Sequence, residues 1–385
     1  MYPDLSYLFH DLFGTPPDNW TSLFKTFGLL LLLAFLSAAA LLRSELRRRQ
    51  AIGQLSGVET TILPRDTVTV YDYLFNGLLG FVLGYKLTYV LANLAEFQVD
   101  PTPILLSLKG YWWAGILGAL ALGGYYVYLG RRQGEVKPVK TTVYPSDRVG
   151  PITLMAALGG IVGAKIFAIW DEPASFLADP VGVLLSGSGL AIYGGLIGGA
   201  LFVVYYLRKH GIPILPVTDA VAPALFVAYG VGRIGCQLSG DGDWGNPAGP
   251  QPAGWFLPDW LWSYDFPHNV AEKGVLMAGC DLEYCHRLAE AVYPTSVYET
   301  LMAFTMGGIL WVLRKPLTSL PGLLFSIYLF LNGVERFFIE FARINDLKNF
   351  LGFQLTQAQI IALGFMLGGI LLGIWSYRHH RSQHL

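Results

Sequence analysis

Charge is scarce in this chain. Asp, Glu, Lys and Arg make up 14% of its 385 residues, against roughly 25% in a typical soluble domain. That is too little to cover a water-facing surface, which argues against a soluble two-domain enzyme and equally against a disordered chain. Net charge is −1, so there is no basic footprint for nucleic acid. Cysteine is also rare: only Cys236, Cys280 and Cys285 occur. None has a CxxC-type metal spacing, and neither a metal nor another cofactor is expected. Cys236, in an apolar stretch, reads as a small packing residue. Cys280 and Cys285 are separated by four residues of a polar loop, and a local disulfide follows if that loop lies outside the membrane.

Apolar sequence is abundant instead. Hydrophobic residues make up 53%, mean hydropathy is +0.46, and there are 45 glycines, as is common where membrane helices pack closely. Apolar runs predict spans near 23–42, 72–94, 111–129, 150–170, 189–207, 217–237, 295–313, 320–339 and 357–376. The expected fold is an all-α polytopic membrane protein of about nine transmembrane helices. Ser37-Ala38-Ala39-Ala40 looks like a signal cleavage site, but the preceding residues lack a basic n-region. The first run is therefore read as a retained helix, with Arg43, Arg47, Arg48 and Arg49 as its cytoplasmic anchor.

Basic residues orient the spans. With the N-terminus outside, cytoplasmic segments hold 16 Lys and Arg and outer segments hold 5. By the positive-inside rule the N-terminus is out and the C-terminus in. The expected organisation is a periplasmic arm over 1–22, a first helix plus an extra helix pair over 23–149, and a core over 150–376. The core carries one long outer loop, 238–294, and a cytoplasmic tail follows over 377–385. Leu5, Leu8, Phe9, Leu12 and Phe13 have helical spacing, read as a short interfacial helix or as an apolar arm packed on the protein.

Two segments repeat. At a shift of 79, Gly80, Gly84 and Lys86 fall on Gly159, Gly163 and Lys165. Asp100-Pro101 falls on Asp179-Pro180, Leu105-Leu106-Ser107 on Leu184-Leu185-Ser186, and Gly115 on Gly194. The preceding loops match at a shift of 81, Thr60-Thr61, Pro64 and Asp66 against Thr141-Thr142, Pro145 and Asp147. Both copies keep one orientation, which predicts a tandem two-helix duplication and not an inverted repeat.

Ionisable residues inside spans are costly and mark function by default. Arg233, in Gly232-Arg233-Ile234-Gly235, offers a planar fork for phosphate or carboxylate. The glycines of this run are read as admitting a ligand to the backbone, with Asp241 and Asp243 just beyond as acids to orient the Arg. The competing reading is an Arg–Asp pair that locks a turn. Glu335, Arg336, Glu340 and Arg343 lie in the eighth span, the last three on one helical face. Tyr298-Glu299 opens the seventh span, and Glu299 needs Arg233 or Arg336 as partner. Tyr193 precedes Gly194 and Gly195, whose absent side chains either admit a ligand or allow close packing. Asp219 is read as an N-terminal cap. Lys86 and Lys165 are read as snorkelling or paired with acids.

Taken in order, these runs resemble bacterial prolipoprotein diacylglyceryl transferase. The residues that carry the resemblance are GRIGCQLSGDGDWG (232–245), YGGLIG (193–198), YPTSVYE (293–299), RFFIEFAR (336–343) and VTDAVAP (217–223). The match covers about 150 to 376, with the duplicated pair outside it. The resemblance implies an enzyme of the bacterial inner membrane with its site toward the periplasmic leaflet. It would move diacylglyceryl from phosphatidylglycerol to the lipobox cysteine of a preprolipoprotein signal peptide, with the lipid bilayer as its medium. It implies roles in catalysis for Arg233, Arg336, Tyr193 and Glu340. Roles in substrate binding fall to Gly194, Gly195, Gly232, Gly235, Asp241, Asp243, Tyr298, Glu299 and Arg343. Departures are Tyr193 and Tyr293 at the family's histidines, Cys236 at its Asn, and Asp for its Glu. His268 and His286 are weakly placed substitutes. The altered positions leave open a transferase with a different acceptor or a non-catalytic phospholipid-binding protein. A transporter ranks below both.

Overall fold

The computed structural model describes residues 1–62, 68–94, 97, 104, 107–133, 139–180, 183, 192–345, 347–350 and 352–381. Long helices dominate: α2 (Thr26–Ala51), α3 (Val70–Ala92), α4 (Trp112–Arg132), α5 (Val149–Asp171), α7 (Ile192–Lys209), α8 (Ile214–Ser239), α9 (Thr295–Leu313), α10 (Leu323–Ile339) and α11 (Gln357–Arg381). Each overlaps one predicted apolar run. Among the described residues, seven helices are long and apolar enough to cross a membrane. The chain is an all-α polytopic membrane protein. The described residues also form two short helices, α1 (Leu5–Phe13) and α6 (Pro173–Ala178), short 3-10 turns and three two-stranded sheets. Residues group into one unit of Met1–Leu30, Glu59–Thr142 and Gly235–Pro294, and another of Leu31–Val58, Val143–Ile234 and Thr295–Leu385.

In the first unit the N-terminal arm forms α1. Asp4 caps it by accepting the Ser6 N–H at 3.0 Å, and Gly14 closes it in the left-handed conformation at φ +68°. The arm is docked on the 238–294 loop. The Tyr2 N–H donates to the Leu238 carbonyl at 2.8 Å, and the Tyr284 N–H to the Tyr7 hydroxyl at 3.3 Å. Leu12 and Phe13 stay exposed, so α1 is packed by one face while keeping an apolar edge. Lys25 sits between Asp4 at 3.1 Å and Glu283 at 3.2 Å and donates to the Tyr284 hydroxyl at 3.1 Å. Burial opposes its charge, but Tyr284, Asp4 and Glu283 outweigh burial and hold its ammonium above the usual lysine range. Burial likewise pushes the Tyr284 phenol up to about 12. The Cys280–Cys285 disulfide closes a short ring within this loop. Asn269 is fully buried and ties the backbone of Phe266, Lys273 and His286 together, while β3 (Val275–Leu276) pairs with β4 (His286–Arg287).

The second unit is built on apolar clusters from α2, α5, α7 and α8 (Leu42, Leu46, Ile152, Leu207, Val217) and from α8, α9 and α10 (Phe226, Ala303, Leu310, Leu324). Its charges depart from expectation twice. Arg48 and Arg49 are not merely anchors: Glu45 takes Arg48 at 2.6 Å, Arg49 at 3.0 Å and Arg314 at 3.0 Å, with Glu45 and Arg49 buried. Asp219 does not cap its own helix, because α8 starts five residues earlier. Its carboxylate accepts the N–H groups of Gly322 and Phe325, both at 2.8 Å, and so caps α10. A β5–β6 hairpin (Leu347–Phe350 with Phe353–Thr356), absent from the sequence reading, precedes α11.

The repeat has a structural basis. A Cβ on Gly80 would lie 2.2 Å from the Gly118 carbonyl oxygen, and one on Gly84 2.2 Å from that of Ala114. In the second copy Gly159 faces the Gly198 oxygen at 2.5 Å and Gly163 the Gly194 oxygen at 2.2 Å. Both hairpins, α3 with α4 and α5 with α7, thus meet backbone to backbone. The contact register pairs Ala114, not Gly115, with Gly194. Lys86 donates to the Ile104 carbonyl at 3.1 Å and Lys165 to the Val183 carbonyl at 2.8 Å, each 18 residues on. The lysines therefore tie the turn backbone rather than only snorkelling or pairing with acids. Of the other matched positions, Pro64, Asp66, Asp100-Pro101, Leu105-Leu106 and Leu184-Leu185-Ser186 lie outside the described residues. The matched threonines fall on β1 (Val58–Ile62) and β2 (Val139–Val143), which pair.

Candidate active site

Three arginines of the second unit converge on one carboxylate. Glu299, in the first turns of α9, is fully buried. Its Oε2 meets Arg233 of α8, and its Oε1 lies 3.1 Å from Arg343 Nη1 and 3.7 Å from Arg336 Nη1. Arg336 also reaches Glu340 at 3.1 Å, one helical turn on, and Asn345 donates to the same Glu340 carboxylate. The expected single helical face holds for Arg336 and Glu340 only. The helix ends at Ile339, Glu340–Ala342 tighten into a 3-10 turn, and Arg343 is extended, yet it swings back to Glu299. Glu299 is paired with all three arginines, not one. Side-chain exposure is 9% for Arg233, 12% for Arg343 and 27% for Arg336, so Arg336 is the most open to a ligand.

Tyr229 escaped the sequence reading, and Glu335, expected only as an ionisable residue of the eighth span, is its partner. The Tyr229 hydroxyl donates to Glu335 Oε1 at 3.4 Å, and the Arg233 guanidinium lies 6.0 Å from the Tyr229 ring centroid. Glu335 is buried. Helical spacing held the signal: Tyr229 precedes Arg233 by four residues, one turn of helix.

At Gly194 and Gly195 the structure shows the close-packing alternative, and Gly232 and Gly235 stand within a helix. Gly232 and Gly235 lie inside α8, so their N–H groups belong to the helical ladder. A Cβ on Gly235 would come 3.1 Å from Leu30 Cβ, whereas nothing lies within 4 Å at Gly232. A Cβ on Gly194 would meet the Gly163 oxygen at 2.4 Å and one on Gly195 the Gly160 oxygen at 3.4 Å, which is helix packing. Tyr193 is the second residue of α7, and its side chain lies outside the described residues. Tyr298 is half-buried beside Glu299.

In the first unit the signature loop turns sharply. Gly240 has φ +65°, and a Cβ there would come 2.8 Å from Asn269 Cβ, so only glycine fits. The Asp243 N–H donates to Asp241 Oδ1 at 3.2 Å, and one ligand atom each of Cys236, Asp241 and Asp243 gather within 4.8 Å. The Gly245 N–H donates to the Tyr293 carbonyl at 2.9 Å, and the Tyr293 N–H to that of Asn246 at 3.0 Å. Backbone pairing thus joins the Trp244-Gly245 motif to Tyr293-Pro294. His268 Nδ1 donates to the Tyr284 carbonyl at 2.7 Å, and His286 belongs to β4, so both serve the loop's own structure.

Three fixed guanidinium groups beside buried acids can bind a phosphate and stabilise negative charge as it grows on a leaving group. Comparison with known proteins bears on which chemistry uses them. The family model for prolipoprotein diacylglyceryl transferase matches residues 103–375. A phosphatidylglycerol–prolipoprotein diacylglyceryl transferase of Pseudomonas aeruginosa (strain LESB58) is 27% identical over 295 residues, which is 74% of this chain and 97% of the relative. A protein of the same name, numbered 2, from Clostridium perfringens (strain 13 / Type A) is 31% identical over 60% of this chain and 79% of its own length. One from Clostridium tetani (strain Massachusetts / E88) is 29% identical over 70% and 96%. With the family model fitting most of its length, the chain belongs to the prolipoprotein diacylglyceryl transferase family.

Proposed function

We propose that this protein transfers diacylglyceryl from phosphatidylglycerol to the cysteine thiol of a preprolipoprotein's lipobox. The sulfur attacks the glycerol carbon that bears the phosphate. The S–C bond forms, the C–O bond breaks toward the phosphate, and glycerol phosphate leaves. The thiol belongs to the acceptor, so the enzyme needs no nucleophile of its own. The observation that carries this reading is the convergence of Arg233, Arg336 and Arg343 on Glu299 in a chain of this family. These cations hold the lipid phosphate and stabilise the charge that grows on it. Glu299 and Glu340 keep the guanidinium planes in place. Roles in substrate binding fall to Tyr193, Gly194, Gly195, Gly232 and Tyr298 and, in the first unit, to Gly235, Asp241 and Asp243.

Nine spans with the N-terminus out and the C-terminus in are the matching topology, supported by the basic-residue bias of 16 against 5. The arm 1–22 and loop 238–294 then face the periplasm, where a disulfide persists, and the tail 377–385 faces the cytoplasm. The core 150–376 carries the chemistry in the outer leaflet of the bacterial inner membrane, and 23–149 adds the duplicated pair. The test is Arg233→Ala, assayed in membranes with a lipobox peptide. Loss of thioether formation is expected, and full activity overturns the assignment. Phosphatidylglycerol bound without release of glycerol phosphate by the unaltered protein would make it a phospholipid-binding protein instead.

A further inference from the structure

The transfer reaction leaves one proton to be placed, and the arginine cluster has one acid to spare. Arg233, Arg336 and Arg343 are engaged by Glu299 and Glu340. The third acid, Glu335, is buried at 4% exposure. Among the described residues no cation lies at ion-pair distance from it, and its hydrogen-bond partner is the Tyr229 hydroxyl at 3.4 Å. Tyr229 is itself half-buried, one helical turn before Arg233. A phenol hydroxyl both donates and accepts, so Tyr229 can take a proton on its outer side while passing its own to the carboxylate. A buried carboxylate without a cation is costly and is relieved by gaining a proton.

We propose that Tyr229 and Glu335 form the proton relay for the acceptor thiol, with Glu335 as the final proton acceptor. This rests on the transferase reading above. As sulfur attacks, the S–H proton passes to the Tyr229 oxygen and the Tyr229 proton to Glu335. The S–H electron pair becomes the S–C bond, and the C–O pair stays on the leaving phosphate. Charge follows the same path. With Glu335 ionised, the three arginines and three acids sum to zero. With Glu335 protonated the cluster carries one net positive charge, just as the phosphate gains its second negative one. The relay thus sharpens the electrostatic grip on the leaving group at the moment it is needed. The charged and titratable groups around Glu335 are Tyr229 and Arg233 of α8, Glu299 of α9, and Tyr328 and Arg336 of its own helix.

The test is steady-state transfer to a lipobox peptide by the full-length protein in phosphatidylglycerol-containing detergent micelles, followed against pH. Glu335→Gln keeps the shape and removes the acceptor. It is expected to lower kcat by about 100-fold or more and to abolish the fall in rate on the acid side. KM for phosphatidylglycerol should stay within about twofold. Glu335→Asp should retain more activity than Glu335→Gln. Tyr229→Phe, which removes one hydroxyl and guards against a misfolded Glu335 variant, should lower kcat in the same way. Wild-type kcat with an unchanged acid limb in either Glu335→Gln or Tyr229→Phe overturns the relay. A raised KM with unchanged kcat also overturns it, since that is the signature of a residue that only positions Arg233. If the unaltered protein forms no thioether, the transferase reading falls and the relay with it.

Discussion

Arg343 Nη1 lies 3.1 Å from Glu299 Oε1, although Arg343 stands beyond the end of its helix and Glu299 begins another. The contact draws a third guanidinium to a carboxylate already shared by Arg233 and Arg336, and makes Glu299 the hub of the site. Glu299→Gln should therefore leave three cations short of one buried counter-charge. A loss of about 3–5 kcal/mol is expected, seen as a lowered melting temperature in detergent and as loss of transfer. Arg343→Lys should be milder, because Arg233 and Arg336 still occupy Glu299.

Asp219→Ala removes the acceptor of two helix-start N–H groups, those of Gly322 and Phe325. With Asp219 fully buried, the expected cost is on the order of 3 kcal/mol. Thermal unfolding checks it, and hydrogen exchange should rise at the start of α10 before it rises elsewhere.

Gly163→Leu should separate α5 from α7, since even a Cβ there meets the Gly194 oxygen at 2.2 Å. A destabilisation of about 3 kcal/mol or more is expected. Gly150→Leu on the same helix is the control, with nothing within 4 Å of its Cβ, and should melt as the wild type does.

Cys280→Ser opens a short covalent loop. Loop-closure entropy puts the cost at about 2 kcal/mol. Proteolysis of the 238–294 loop should quicken, and thiol labelling after denaturation should show Cys285 newly free.

Lys25 ties the N-terminal arm to the loop through Asp4, Glu283 and Tyr284. Its value in the folded state is raised, so its contribution is complete below the ordinary lysine range and is lost as pH climbs through the folded value. Protease resistance of the arm should hold at neutral pH and fail only above the ordinary lysine range. Lys25→Ala should expose the arm already at neutral pH.

Helices were the most legible feature of the sequence, because a membrane span must satisfy its backbone internally and so announces itself as a long apolar run. The matched glycines were legible too, and they lie where helix backbones meet. Glu335 was visible as a charge within a span, but its pairing with Tyr229 stayed hidden because nothing in the apolar run around Tyr229 marks which side chain across the bundle it will meet. Asp219 misled for the same reason: an acid near a helix start looks like its own cap, and only the helix packed beside it shows whose amides it serves.

By itself the sequence determined that this is a membrane protein, how its apolar segments are spaced, and that very few charges lie within them. Those are consequences of composition and period, which act residue by residue. Which charges meet was decided only by tertiary structure. Three arginines and an acid, spread over more than a hundred residues from 233 to 343, become one site only when α8, α9 and α10 pack. Burial then turns weak solvent-screened attractions into fixed pairs and, among the described residues, leaves Glu335 to the Tyr229 hydroxyl with no cation at ion-pair distance.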